Sequence, residues 1–126
     1  MAKKLEVGVV GLGKFGLPLA LTLKELGHTV VGVDADTHRI RQAQDELSHV
    51  YTADATDEKA LEQLGFKDLH HVVVSTGRSM EASILVVLGL QELGVEDVWV
   101  KAVSEQHEKI LSRMGVSMVV FPERFV

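Results

Sequence analysis

The chain has 126 residues, with 18 acidic against 13 basic side chains, a net charge of −5 and no cysteine. That length suits a single domain spanning residues 1–126 and leaves no room for a second of similar size. The acidic balance argues against nucleic acid as the main partner, because no basic stripe can neutralise phosphates, and the lack of cysteine removes disulfides, thiolate metal sites and a thiol nucleophile.

Met1-Ala2-Lys3-Lys4 leads directly into an apolar strand rather than a signal-peptide core, and no apolar run approaches the ~18 residues of a membrane span. A cytoplasmic protein without direct membrane insertion is expected. Strand and helix then alternate along the whole chain. Strands are predicted near Glu6 to Val10, Thr29 to Val33, His49 to Ala53, His71 to Ser75, Asp97 to Ala102 and Ser117 to Phe121. Helices are predicted near Lys14 to Leu26, Thr37 to Leu47, Asp57 to Leu64, Met80 to Leu93 and Glu105 to Met114. Gly27, Gly65, Gly94 and Gly115 each follow a helix where a left-handed residue ends it, and Asp36, Thr56, Ser79 and Ser104 are candidate caps at the front ends. Pro18 is the discordant residue, since inside a helix its missing amide loses a hydrogen bond unless the helix starts late.

The first strand runs into Gly11-Leu12-Gly13-Lys14-Phe15-Gly16, and the second ends in Asp34. This is the dinucleotide-binding fingerprint in its strand–turn–helix context. Gly11 permits the tight turn, Gly13 has no Cβ to hold a pyrophosphate off the backbone, and Gly16 lets the next helix pack closely. The helix start offers free amides and a positive dipole end, and Lys14 adds a charge there. Short alternating connections imply right-handed crossovers, so the expected fold is α/β: a Rossmann-like doubly wound parallel sheet of about six strands, order 3-2-1-4-5-6, with helices on both faces. The ligand then lies at the carboxyl ends of the strands.

Residues at those ends are site candidates by position. Asp34 is expected to bind both ribose hydroxyls of an adenosine, and its charge disfavours a 2′-phosphate even with Arg39 nearby. Ala35 follows it. Asp36 either caps the next helix or touches the ribose or adenine edge. Ala53, Asp54 and Ala55 lie where an adenine ring would rest, with Asp54 either accepting from the adenine amino group or serving as a solvated turn residue. On the other side of the switch point come Ser75, Thr76, Gly77 and Arg78, with Arg78 either reaching a phosphate or ribose or remaining solvated. The six histidines have no metal-ligand spacing and are expected on the surface or at caps. Trp99 reads as a packing anchor under a helix or, failing that, an interface residue. The segment Ala82 to Leu93 is too apolar for one buried face, so part of it is expected to face a second subunit.

A wider set of motifs carries a resemblance. The glycine turn, Val33-Asp34-Ala35-Asp36, Ala53-Asp54-Ala55-Thr56, Ala82-Ser83-Ile84-Leu85, Val100-Lys101-Ala102 and the terminal Phe121-Pro122-Glu123-Arg124 together resemble the N-terminal lobe of RCK domains, which regulate potassium conductance. Among these, the chain is similar to the cytoplasmic regulatory subunits of Trk and Ktr potassium-uptake systems. The resemblance implies a non-enzymatic domain that binds NAD(H) or ATP/ADP, pairs as a homodimer, assembles into higher rings in longer forms, and gates a membrane potassium channel or transporter. It counts Lys101 among the nucleotide contacts and makes Glu123 a candidate cation ligand beside the nucleotide. Lys14 stands where the family commonly has arginine. Family members often carry a second, C-terminal lobe, and the chain stops just after the Pro-Glu-Arg motif, so an N-lobe alone is expected here. The alternative is an N-terminal fragment of an NAD-dependent nucleotide-sugar dehydrogenase, which Gly11 to Ala20 also resembles, but that likeness fades after Asp36.

Overall fold

The computed structural model of the chain describes residues 3–76 and 79–121. Six strands form one all-parallel sheet in the order β3-β2-β1-β4-β5-β6. They are β1 (Glu6–Val10), β2 (Thr29–Asp34), β3 (His49–Thr52), β4 (His71–Val74), β5 (Asp97–Lys101) and β6 (Met118–Val120). The helices are α1 (Gly16–Glu25), α2 (Thr37–Ala43), α3 (Glu58–Gln63), α4 (Met80–Glu92) and α5 (Glu105–Met114), with a short 3₁₀ turn at Phe66–Asp68 that the periodicity does not reveal. The expected strand order and alternation are thus the observed ones.

Side-chain alternation along the strands sorts the helices between two faces. Val7 and Val9 point into a core with Ala20 of α1 and Ile40 and Ala43 of α2. Val10, Val33, Val72, Val74, Val98 and Val100 point the other way, onto Leu61 of α3, Val86, Val87 and Leu90 of α4, and Leu111 of α5. α1 and α2 cover only the β1–β3 half of their face. Among the described residues no helix covers the same face of β4, β5 and β6.

Helix ends follow local chemistry. Gly27, Gly65, Gly94 and Gly115 all take positive φ, between 80° and 94°. The amides of His28, Val95 and Val116 reach back to Leu23, Leu90 and Leu111, closing the C-terminal turns of α1, α4 and α5. Asp36, Ser79 and Ser104 cap α2, α4 and α5 through their side chains. Thr56 does not cap α3. Its hydroxyl and amide both bond to Asp54 instead, and Asp57 takes the cap by accepting from the Lys59 amide. Pro18 falls in the first turn of α1, because the helix begins at Gly16 rather than Lys14, and the first turn is where a proline is tolerated. α2 is shorter than expected and ends at Ala43.

The structure corrects the expected placement of Trp99 and decides between the two expected roles of His107. Trp99 lies under no described helix: β5 alternation sends Val98 and Val100 into the core and turns Trp99 to the open face, where it is 41% exposed. Of the two roles expected for the histidines, His107 takes the second: it is fully buried, and its Nδ1 accepts the Val103 amide at the front end of α5.

Candidate functional site

The turn after β1 is shaped by backbone atoms. Gly11 has φ +94°, and a Cβ there would lie 1.8 Å from the Ser75 carbonyl oxygen. A Cβ on Gly16 would lie 1.7 Å from the Gly11 carbonyl oxygen, so it is the turn itself, folding back on the start of α1, that requires this glycine. Gly13 differs. It meets no backbone, and a Cβ there would make only ordinary contact, at 3.4–3.6 Å, with the Arg39 guanidinium. The fold therefore demands the first and third glycines of the fingerprint and leaves the middle one free for another purpose.

Asp34 closes β2 beside this turn and is 8% exposed. Its Oδ2 accepts the Leu12 amide at 2.8 Å and its Oδ1 accepts the Asp36 amide at 2.8 Å. Arg39, from the first turn of α2, approaches Oδ2 at 3.5 Å. The carboxylate is thus fixed in orientation by two amides, which offsets the cost of burying it. Lone pairs remain on both oxygens for further donors.

A cleft of about 180 Å³ opens at the carboxyl ends of β1, β2 and β3, near the switch between β1 and β4. Gly11, Asp34, Ala35 and Arg39 form one side, Ala53, Asp54, Ala55 and Thr56 the other, and Thr76 with Ala82 of α4 closes the end. Of the predicted site residues, Gly11, Asp34, Ala35, Ala53, Asp54, Ala55 and Thr76 are brought together here. Leu12 is buried behind the turn and contributes its amide to Asp34, while Gly13 lies against the Arg39 guanidinium. Ser75 is buried and donates its amide to Val10, continuing the β1–β4 ladder. Asp36 is exposed and engaged as the α2 cap, and Lys14 is exposed without lining the cleft. Gly77, Arg78 and Glu123 lie outside the described residues. At Asp54 the Thr56 hydroxyl, and then the Thr56 amide, hold the carboxyl below its usual range, so it stays an acceptor at neutral pH. Arg39, Thr56 and Ala82 complete the cleft without having been assigned to it from sequence. Arg39 carries no periodic signal, being an exposed arginine on a helix.

Phe15 and Lys101 meet elsewhere. The Lys101 ammonium lies 5.9 Å from the Phe15 ring centroid, within cation–π range. Both line a groove of about 530 Å³ on the open face, with Leu19, Val73, Trp99 and Val120. Its carboxylate is Asp97, which pairs with His71 Nδ1 and accepts the Trp99 indole N–H at 3.1 Å. Partial burial works to raise the Asp97 carboxyl, but the bonds from His71, Ser117 and Trp99 and the charge on His71 outweigh it and hold the group low. Among the described residues no cluster of three metal-ligating side chains occurs, and no helix is long and apolar enough to cross a membrane.

Comparison with known proteins places this geometry. The TrkA-N domain model matches residues 7–122. The chain belongs to the TrkA-N family. Ktr system potassium uptake protein C of Bacillus subtilis is 41% identical over 121 residues, which is 96% of this chain and 55% of that protein. This TrkA-N chain therefore spans about half the length of the curated relatives it matches. The GsuK channel bound to NAD superposes with a TM-score of 0.85 at 16% identity, covering 98% of this chain and 22% of the channel chain. The Shewanella denitrificans Kef CTD in its AMP-bound form superposes with a TM-score of 0.78 at 23% identity, covering 91% of this chain and 70% of that one. At those identities the two structures establish the shared fold.

Proposed function

We propose that this TrkA-N domain is a cytoplasmic, non-catalytic regulatory module that binds NAD(H) or ATP/ADP in the cleft beside Asp34 and, through that binding, gates a membrane potassium transporter. The observation that carries the reading is the pairing of Asp34, oriented by the Leu12 and Asp36 amides, with a turn whose middle glycine no protein contact requires. A ribose donates to the first, and a phosphate approaches the second. The names of the relatives point the same way: a potassium uptake protein at 41% identity, and channel and Kef structures carrying NAD and AMP. Phosphate contacts are assigned to the amides of the glycine turn, with Lys14 and Arg78 flanking them, and Glu123 is kept as a candidate cation ligand. Leu85 and Leu88, 43% and 46% exposed on α4, are the apolar positions assigned to a homodimer contact. In a dimer, a difference in phosphate number changes the contacts made at two symmetric sites and so shifts the angle between lobes.

Calorimetric titration with ATP, ADP and NADH tests the nucleotide half. Saturable binding is expected, and Asp34→Ala weakens it by about tenfold or more, since hydrogen bonds to a charged group contribute about 1.5–3 kcal/mol. Unchanged affinity in the variant, or no binding of any of the three at millimolar ligand, overturns the assignment. Potassium flux through the full-length protein and its membrane partner in liposomes tests the other half: flux that is the same in ATP and ADP, with both shown to bind, leaves a nucleotide scaffold without a gating role.

A further inference from the structure

Arg39 is a cation on the wall of a cleft that otherwise displays two carboxylates, Asp34 and Asp54. No other cation lines that cleft among the described residues. Two anions against one cation make a poor receptor for a polyphosphate unless the cation is free to turn toward it. Its geometry meets that condition. The guanidinium carbon and both terminal nitrogens lie at nearly equal distances, 3.4, 3.5 and 3.6 Å, from the point where a Gly13 Cβ would be. The group therefore lies flat over Gly13, at the place where the fingerprint brings phosphates to the backbone.

The link from Arg39 to the fold is weak. Its approach to Asp34 Oδ2 is 3.5 Å, longer than a charge-assisted hydrogen bond, and its side chain is 45% exposed. The same oxygen already holds the Leu12 amide at 2.8 Å. A ribose hydroxyl donating to Oδ2 competes with the longer contact, not with the amide. The residue thus released carries a planar fork suited to phosphate oxygens and already stands over the turn.

We propose that Arg39 is the charge-selecting residue of the cleft, exchanging its place on Asp34 for the phosphates of the nucleotide as the ribose takes the carboxylate. The inference rests on the nucleotide reading above and adds a direction to it: Arg39 opposes the bare nucleoside and favours its phosphorylated forms. The test is titration of the parent, Arg39→Met and Arg39→Lys with adenosine, ADP, ATP and NADH at low and high salt. In Arg39→Met, ATP and ADP are expected to bind about tenfold more weakly, with a shallower salt dependence, while adenosine binds as well as in the parent or a few-fold better. Arg39→Lys is expected to recover part of the ATP affinity by charge alone. A parallel fall for adenosine and ATP overturns the proposal in favour of plain packing against the nucleoside, and unchanged affinity for all ligands overturns it outright. If the parent binds none of them, the nucleotide reading itself has failed; if the parent binds ATP and Arg39→Met binds it equally, only the role of Arg39 has. Coincident thermal melts of parent and variants exclude misfolding as the cause.

Discussion

Two regions of the molecule are held by different kinds of atoms. At the carboxyl ends of β1 and β2 every contact involves backbone: Gly16 against the Gly11 carbonyl, Gly11 against Ser75, and the Leu12 and Asp36 amides on the Asp34 carboxylate. On the uncovered face of β4, β5 and β6, side chains meet side chains: His71 on Asp97, Trp99 on Asp97, Lys101 over Phe15. Backbone contacts admit almost no substitution, because moving them moves the sheet. Side-chain contacts on an exposed face can be exchanged freely as far as folding is concerned, so what occupies that face is open to demands other than stability.

Four changes probe this contrast, taken from the largest effect downward. Gly16→Ala drives a Cβ into the Gly11 carbonyl, whose oxygen is 1.7 Å away and belongs to backbone that cannot step aside, and is expected to cost more than about 3 kcal/mol of stability. Urea denaturation with a midpoint within 0.3 M or so of the parent, at the usual slope of about 1–3 kcal/mol/M, would break the comparison. Gly13→Ala, three residues earlier, is expected to leave the melt nearly unchanged and to weaken ATP and NADH binding by about tenfold, equal to about 1.4 kcal/mol. If Gly13→Ala unfolds the chain instead, the middle glycine belongs to the scaffold and not to the ligand.

The third change concerns pH. Burial pushes the His107 imidazole below its ordinary value of 6.5, so the unfolded chain binds this proton more readily than the folded one. Its contribution is therefore complete above pH 6.5 and is lost as the pH falls from there toward the depressed folded-state value. The denaturation midpoint should drop between neutrality and mildly acidic pH, before the carboxylates titrate, and His107→Gln should flatten that slope. An equal slope in the variant assigns the effect to other groups. The smallest change is Trp99→Thr on the open face, expected to alter stability by no more than about 1 kcal/mol because the ring is already 41% exposed. A loss of several kcal/mol would mean that the ring contributes to the fold as the core residues do.

Most of the framework was legible in the sequence because its signals are backbone signals. Four glycines ending four helices, a glycine turn following a buried strand and an acid closing the next strand each report a local conformation that few other residues permit. What escaped was decided by choices among equivalent partners. In Asp54-Ala55-Thr56-Asp57 three residues can cap a helix, and the cap fell to Asp57 because Thr56 is used by Asp54. Trp99 reads first as a ring packed beneath a helix and only second as an interface residue, yet Val98 and Val100 on either side claim the covered face and strand alternation turns residue 99 the other way. For His107 the sequence leaves surface and cap as equivalent roles; the bond to Val103 is local, whereas its full burial comes only from the tertiary fold. Arg39 is legible from sequence as a neighbour of Asp34, but that it also lines the cleft and lies against Gly13 follows from α2 starting just beyond Asp34 at the Asp36 cap.

The bonds at Asp34 also equip the molecule with its own spectrometer. Each carboxylate oxygen is read by a single amide proton, Oδ2 by Leu12 and Oδ1 by Asp36, and the two belong to different loops. A donor arriving at one oxygen withdraws electron density from it and lengthens its amide bond, moving that resonance upfield while the other shifts less. Two cross-peaks in a nitrogen–proton correlation spectrum thus resolve which edge of the carboxylate a ligand touches, and whether it touches both, without any label on the ligand or any change to the chain.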